Sequence, residues 1–517
     1  MTRGYKQTGT LMSATNRQHN FAQVPSADIQ RSVFQRSSGL KTTFNAGFLI
    51  PIFVDDILPG DTMDMSIGLF GRLATLLHPL MDNVYVDIHF FFVPNRLVWD
   101  NWEKFNGAQD NPGDSTSFLV PLVTTPAGGW AEDTIGDYFG LPTKINNMEG
   151  VSALPFRAYN LIYNEWYRDE NLQNSLSVPK TDGPDAATLY PIQRRGKRKD
   201  YFTSCLPFAQ KGTPVSIPLG TIANVKTQAT EHTTTGTNSA ALFRRTDNNA
   251  LPANAAGFQS STGALSQSAG AFTPAQTVYP TNLIADLTGA TAATINQLRE
   301  AFQVQRLLER DARGGTRYTE ILQSHFKVKS PDARLQRPEY LGGGTIPINI
   351  TPIASTNAQQ IVIAGSPVPT SDIGDLAGVG TFGKSNVHWR QSFTEHGYVI
   401  GIASMRADLN YQEGIDRHWT RRTRFEHFWP ALAHLGEQAV LNKEIFAQGT
   451  AADQQVFGYQ ERYGEYRYKN SKVTGRMRSN AGTPLDSWHL AQDFASLPAL
   501  NSTFIVENPP IDRALAV

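Results

Sequence analysis

Residues Lys41–Thr62 read KTTFNAGFLIPIFVDDILPGDT, and this stretch sets the terms for the rest of the chain. Its apolar centre is a short strand that runs into an acidic turn closed by Pro59 and Gly60. Proline pre-sets φ and glycine tolerates positive φ, so the pair marks a turn, with Asp61 placed to accept backbone hydrogen bonds. Asp55, Asp56, Asp61 and Asp64 cluster here, but the D-x-D-x-D-G spacing of a calcium loop is absent. The stretch carries no catalytic pattern.

Working outward, Val84–Val93 (VYVDIHFFFV) is rich in β-branched and aromatic residues, begins with alternation and stops at Pro94, which predicts a strand. Asn95 is placed to cap a helix through Trp99, Trp102 and Phe105 that Gly107 closes. A second helix is expected after Pro155, with Tyr159, Ile162 and Trp166 on one face. A third follows Thr294, where Thr294 and Gln297 fit a capping box and Gly314-Gly315 ends the run. A fourth is expected after Pro430 in ALAHLGEQAVLNKEIF. Thr345–Ile350, Gln360–Ala364 and Tyr398–Ala403 are further strand candidates.

Residues 1–40 are polar without a clear period and read as an extended N-terminal arm; residues 41–517 read as a single domain with large insertions. Residues 222–280 are dominated by Ala, Thr, Ser, Asn and Gly and cannot bury enough apolar surface for a core of their own. They are either a disordered linker or a long surface loop anchored at both ends. Residues 351–385 read as a second, Gly/Pro-rich loop. Strands scattered between long insertions, with no βαβ alternation, make the fold class mainly β, an antiparallel sandwich or barrel with a few helices. Pattern alone does not separate a jelly roll from other sandwiches.

The composition supports this. The 517 residues are 40% hydrophobic and only 18% charged, with 42 Gly and 30 Pro suited to many turns. Lys plus Arg and Asp plus Glu are 46 each, so no global basic field exists, and any nucleic acid must be met by local patches or a second, basic protein. The lone Cys205 excludes an intrachain disulfide framework, which fits folding in a reducing cytoplasm. MTRGYKQTGTLMSATNRQHN lacks the apolar centre of a signal peptide, and no stretch approaches the ~18 apolar residues of a membrane span. A soluble protein without membrane insertion is expected.

Five blocks carry a resemblance to a known family. Besides Lys41–Thr62 they are Tyr159–Ser175 (YNLIYNEWYRDENLQNS), Lys197–Gly212 (KRKDYFTSCLPFAQKG), Phe457–Lys469 (FGYQERYGEYRYK) and Trp488–Val517 with LAQDF, PALNSTFI and PPIDRALAV. In this order they resemble the major capsid protein of the microviruses, small icosahedral single-stranded DNA bacteriophages, and specifically the gokushovirus branch. The resemblance implies an eight-stranded antiparallel viral jelly roll with long inserted loops. It implies self-assembly into a T=1 shell around a circular single-stranded DNA genome, in the virion, after assembly in the host bacterial cytoplasm. Implied partners are further copies of the chain, the genome, a small basic DNA-packaging protein, a minor pilot protein, scaffolding protein during assembly and a host surface receptor. In that family the insertion matching 222–280 forms protrusions at the three-fold axes, proposed to meet the host surface. No enzymatic activity and no cofactor are implied.

The residues themselves suggest two candidate surfaces. Arg194, Arg195, Lys197, Arg198 and Lys199 form the densest basic run, with Tyr201 and Phe202 close behind, a pattern suited to neutralising phosphates and stacking bases. The plain alternative is a solvated turn, or a strip pairing with carboxylates of a neighbouring subunit. Arg417, Trp419, Arg421, Arg422, Arg424 and Phe425 repeat the theme more weakly. Tyr459, Arg462, Tyr463, Tyr466 and Arg467, interleaved with Glu461 and Glu465, suit a subunit interface, where Tyr and Arg are enriched; a mixed-charge strand face within one subunit reads equally well.

Enzyme readings are thinner. Gly378–Ser385 (GVGTFGKS) matches the P-loop pattern, in which Lys384 would reach the outer phosphates and Ser385 would bind magnesium. That chemistry requires a strand directly before and a helix directly after, and the flanking SDIGDLA and NVHWRQSFTEHGYVIGI supply neither. His418, His427 and His434 lack the H-E-x-x-H spacing of a zinc site, there is no G-x-S-x-G, and Cys205 lies in an apolar context that suggests burial. A sugar-binding sandwich remains a third class, without an aromatic platform to argue it.

Overall fold

The computed structural model describes residues 32–213, 215, 224–227, 243–245, 258–260, 265–267, 278–280, 283–286, 295–328, 336–356, 359–363, 366–371, 373–433 and 435–516. Contacts divide the chain into residues 1–43 and 44–517. Of the first unit, residues 32–43 are described, and they carry no helix or strand; the rest of the expected arm lies outside the described residues.

The second unit is organised by seven long strands. They are β1 (Ile50–Ile57), β2 (Thr62–Arg72), β3 (Val84–Pro94), β4 (Glu339–Pro347), β5 (Asn349–Ala354), β6 (Leu376–Ser392) and β7 (Gly397–Ala407). One sheet has the order β1-β7-β3-β4 and the other β5-β6-β2, and every pairing within them is antiparallel. The two sheets share one core. Val86, Ile88, Phe90 and Phe92 of β3 and Val399 and Met405 of β7 meet Val387 and Trp389 of β6, with Met63, Met65, Ile67 and Leu69 of β2 packed alongside. Each such side chain taken fully out of water contributes about 1.5–3 kcal/mol. Phe90 has the room it needs because β7 carries Gly401 opposite it; a Cβ there would sit 2.6 Å from the Phe90 ring.

The acidic turn of the opening segment is where the sheets are joined. β1 and β2 belong to different sheets, as do β6 and β7, and both crossovers fall at the same corner. Gly60 N–H donates to Phe393 O at 2.7 Å and Phe393 N–H to Asp61 O at 2.9 Å, while Asp61 Oδ2 accepts from Leu58 N–H at 3.2 Å. Gly60 holds φ +89, a conformation that glycine adopts without a Cβ penalty.

β3 is buried on both faces, which is why it reads as an almost unbroken apolar run. Its even-numbered residues enter the sandwich; Phe91 and Val93 face a second core built on helix α1 (Leu154–Ile162), through Leu154, Phe156, Tyr159 and Ile162. A third cluster joins Tyr201, Phe202 and Cys205 to Val440 and Phe457 of the hairpin pair β8 (Glu437–Leu441) and β9 (Val456–Glu461).

The excursion between β3 and β4 carries the helices and the insertion. Helices α2 (Ile295–Arg313) and α3 (Tyr318–Phe326) follow the insertion. The first stops before Gly314 as expected, with Gly315 at φ +95, while its expected cap at Thr294 lies outside the described residues. Within 222–286 the described segments pair as nested antiparallel ladders: Asn224–Thr227 with Leu283–Asp286, Phe243–Arg245 with Val278–Pro280, and Phe258–Ser260 with Leu265–Gln267. The insertion therefore leaves and returns at adjacent points. Most of the expected loop 222–280 lies outside the described residues.

Three expectations need correction, and the P-loop reading that the flanking sequence disfavoured is settled. The helix after Asn95 is two short pieces, a 3-10 turn at Asn95–Leu97 and a single turn at Trp102–Phe105. The run after Pro430 is a 3-10 turn, then β8, then one turn at Asn442–Ile445, because Gly436 at φ +66 breaks the helical path. The segment 351–385 is largely paired strand, including the hairpin Gln359–Ile363 with Ser366–Ser371. Gly378–Ser385 is no P-loop: it lies inside β6, where Gly378 pairs with Pro352, Gly380 with Ile350 and Lys384 with Leu69. Its glycines make room for neighbours, since a Cβ on Gly380 would sit 2.7 Å from Leu73 Cδ1. Among the described residues no helix is long and apolar enough to cross a membrane.

Lys384→Ala is therefore expected to change unfolding free energy by no more than about 0.5 kcal/mol. Neither chain should bind ATP in calorimetric titration, and binding by the parent alone would restore the nucleotide reading.

Candidate functional site

The basic run lies against the outer face of the four-stranded sheet. Its centre is Asp87, a fully buried carboxylate on β3. Arg195 Nη1 lies 2.5 Å and Arg406 Nε 2.9 Å from Asp87 Oδ2, and Thr345 Oγ1 donates to Oδ1 at 2.6 Å. Burial alone would raise the Asp87 pKa; the Thr345 hydrogen bond and the two guanidinium charges outweigh it and hold the carboxyl below its ordinary range.

The other four cations also have internal partners. Arg194 donates to Asn508 Oδ1 at 2.8 Å and covers the Phe48 ring at 4.0 Å. Lys197 is buried, with Nζ 2.9 Å from Gln492 Oε1 and 4.4 Å from the Phe504 ring centre. Burial pushes its pKa down to about 8, against the opposing pull of Glu507 and Asp200. Arg198 pairs with Asp408 at 2.6 Å and Lys199 with Asp169 at 2.5 Å, yet these two keep 46% and 57% of their side chains in water. The run thus seams the C-terminal segment to the sheet, and only its last two cations face outward to a substantial degree.

Beside them lies an open cleft of about 440 Å³, lined by Phe91, Trp166, Tyr167, Arg168, Lys199 and Tyr340 among others. Trp166 reaches it through a local irregularity. Helix α1 continues as a π-turn over Tyr163–Tyr167, closed by Arg168 N–H to Tyr163 O at 2.9 Å. The wider turn breaks the 3.6-residue period, so Trp166 leaves the buried face that Tyr159 and Ile162 keep. Its ring lies 5.9 Å from that of Tyr340, with the Arg337 guanidinium 4.6 Å away, and its Nε1 donates to Pro338 O. His89, on the cleft floor, contacts Tyr167 Oη at 2.8 Å; burial, then Arg195, lowers its pKa to about 4, so the ring is neutral at pH 7.

The Tyr/Arg group is divided. Tyr463 is buried, at φ +63, and its Oη donates to Phe425 O at 2.9 Å. Tyr459 is half-buried, with its backbone bridging to Leu206, and Arg462 lies over the Tyr463 ring at 5.3 Å. Tyr466 and Arg467 are exposed, Tyr466 stacked under Arg421 at 4.3 Å and Arg467 paired with Glu461. The neighbouring basic–aromatic stretch, ranked second in the sequence, exposes its rings. Residues Arg422–Pro430 are exposed without a break, Phe425, Phe428 and Trp429 among them; the R-x-R-F-x-x-F-W spacing, too crowded with rings for an ordinary loop, is the signal that marks it.

Taken together, these features define a mainly β, two-sheet sandwich with a cation-seamed face and exposed rings. Comparison with known proteins gives the family. Residues 22–517 match the family described as Capsid protein (F protein). The chain is 50% identical over 515 residues to the capsid protein VP1 of Bdellovibrio phage phiMH2K, covering 98% of this chain and 93% of that one. It is 43% identical over 565 residues to capsid protein VP1 of Chlamydia phage 1 (96% and 93% covered) and 35% identical over 526 residues to that of Spiroplasma virus 4 (98% and 93%). The chain belongs to this family of microvirus major capsid proteins. Its role is structural, not enzymatic, and its place is the virion capsid.

Lys197 gives the seam a pH signature. Between pH about 8 and its ordinary 10.5 the unfolded chain holds this proton and the folded chain does not, so stability rises with pH across that window. The full rise is on the order of 3 kcal/mol. Lys197→Met is expected to remove it, which denaturant unfolding of parent and variant at pH 7.5 and pH 9.5 measures.

Proposed function

We propose that copies of this chain assemble into a T=1 icosahedral shell around a circular single-stranded DNA genome, each contributing an eight-stranded viral jelly roll. The observation that carries the reading is near end-to-end kinship with three phage capsid proteins, joined to a sandwich whose crossovers pass from sheet to sheet. The antiparallel β1-β7-β3-β4 and β5-β6-β2 sheets support that reading as a two-sheet sandwich. Assembly belongs in the host bacterial cytoplasm, with a small basic packaging protein, a pilot protein and scaffolding protein as partners; a chain with no net charge needs such a basic partner to balance the phosphates.

Contact with the genome is assigned to the outward end of the basic run. Arg198 and Lys199 offer exposed cations, and Trp166 and Tyr340 in the adjoining cleft offer rings on which bases stack. Arg194, Arg195 and Lys197 support that edge from within. The nested insertion at 222–286 is assigned to the host-facing surface and its receptor. Tyr466 and Arg467, the exposed members of their group, are assigned to subunit contact, with Tyr459, Arg462 and Tyr463 holding them in place.

Nuclease-treated lysate from phage-producing cells, sedimented on a gradient, tests the reading. The chain is expected in a large particle with protected single-stranded DNA; slow monomers alone would end the coat assignment. Arg198→Ala/Lys199→Ala particles are expected to hold less DNA at unchanged particle number, and deletion of 228–278 to abolish adsorption while particles persist.

A further inference from the structure

Within Asp416–Leu435, Arg422–Pro430 is exposed without a break and carries three aromatic rings. Trp419 is 75% exposed, Phe425 61% and Leu435 61%, with Phe428 and Trp429 also in water. Soluble proteins rarely leave such a group of rings uncovered. The segment is nevertheless held in shape. Thr423 and Glu426 form a capping box, Trp429 Nε1 donates to Arg424 O at 3.1 Å, and the Arg424 guanidinium lies 4.4 Å from the Trp429 ring. Tyr463 Oη and Tyr466 Oη tie Phe425 O and Phe428 N–H to the rest of the subunit. A surface ordered before it binds loses little entropy on binding, and Trp, Tyr and Arg are the residues that dominate binding energy at interfaces.

Its charge points to an occupant. Asp416–Leu435 holds four arginines against two acidic residues; Arg417 and Arg421 are paired with Glu444 and Glu465 inside the subunit, and Arg422 and Arg424 are the exposed ones. The opposite bias lies in Asn101–Gly150, with seven acidic residues against two lysines. There Glu103, Asp110, Asp133 and Glu149 are exposed, and so are Leu119, Leu122 and Ile145, the first at 83%. Within one subunit the two segments are anchored on different cores. Trp130 and Ile135 of the acidic segment enter the cluster around α1, whereas Arg417 is fixed to Ala439 O and Glu444 beside β8.

Resting on the coat reading above, we propose that Asp416–Leu435 docks onto Asn101–Gly150 of a second copy of this chain. Because two different patches meet, the contact is heterologous, and its repetition closes into a ring where the rotation between copies permits. Its rings enter among the exposed Leu and Ile side chains, and the arginine–carboxylate complementarity sets register and rejects the like-charged alternative.

Charge exchange tests this. Arg422→Glu/Arg424→Glu and, separately, Asp110→Lys/Glu149→Lys are each expected to cut particle yield at least tenfold. The four changes in one chain are expected to restore it, because each copy then presents both reversed partners. Circular dichroism of the unassembled variants checks that the fold is kept. Normal yield from either double variant, or no recovery in the combined chain, overturns the proposal while parental particles leave the coat reading intact. If the parent itself makes no particles, both readings fall together.

Discussion

One buried carboxylate sets the arrangement around it. Asp87 interrupts the most apolar strand of the protein, where an unpaired charge would cost several kcal/mol. Its oxygens are satisfied only if β4 supplies Thr345, β7 supplies Arg406 and the chain after α1 returns Arg195 to the same point. Register across three strands and the path of the basic run are thereby fixed together. From Arg195 the consequences spread: its backbone carbonyl accepts from Glu507 N–H, and Lys197 N–H donates to Ile505 O, so the C-terminal segment is drawn along the sheet. Of the five cations that sequence reading proposed for DNA, Arg195 is the one that keeps this carboxylate in the core, and the other four are held by partners of their own.

The same strand explains how one domain carries so long an excursion. β3 buries both faces, one against the facing sheet and one against α1, so its packing rests on the start of the excursion and not on the insertion at 222–286. The insertion begins and ends on paired segments, Asn224–Thr227 and Leu283–Asp286. A segment that closes on its own base adds a loop-closure cost that grows only slowly with length. A subunit built this way can vary its insertion without disturbing its two sheets.

How much was legible follows the periodicity. β3 and β7 were readable because burial on both faces writes continuous apolar runs, and the Pro59-Gly60 turn because only those residues suit its dihedrals. β2 alternates strictly, Met63, Met65, Ile67 and Leu69 inward and Thr62, Asp64, Ser66 and Phe70 outward, so its signal was present but overshadowed by the acidic turn before it. The helix expected after Pro430 failed at Gly436, where positive φ sends Glu437–Leu441 to pair with β9. Gly378–Ser385 matched a phosphate loop only because β6 also needs glycines, to let Leu73 and Leu76 approach. Of the candidate sites, the basic run was visible as composition, but its partners Asp87, Asp169, Asp408 and Gln492 are remote in sequence. The cleft was not visible at all, since it depends on a π-turn that shifts Trp166 off its helical face.

A shell protein faces a conflict that an enzyme does not: its surface must attract copies of itself on several sides yet stay soluble until they meet. Equal numbers of acidic and basic residues remove long-range self-repulsion, but uniform neutrality would also remove orientation. This chain keeps the balance globally and breaks it locally. The Asn101–Gly150 stretch is acidic, the Asp416–Leu435 stretch basic, and each carries exposed apolar side chains that the proposed docking would cover. Charges of opposite sign steer approach over about a Debye length, and the rings act only after contact. Under the docking proposed above, attraction would be confined to few orientations, and the many modest contacts of a lattice can do what no single tight interface would do reversibly.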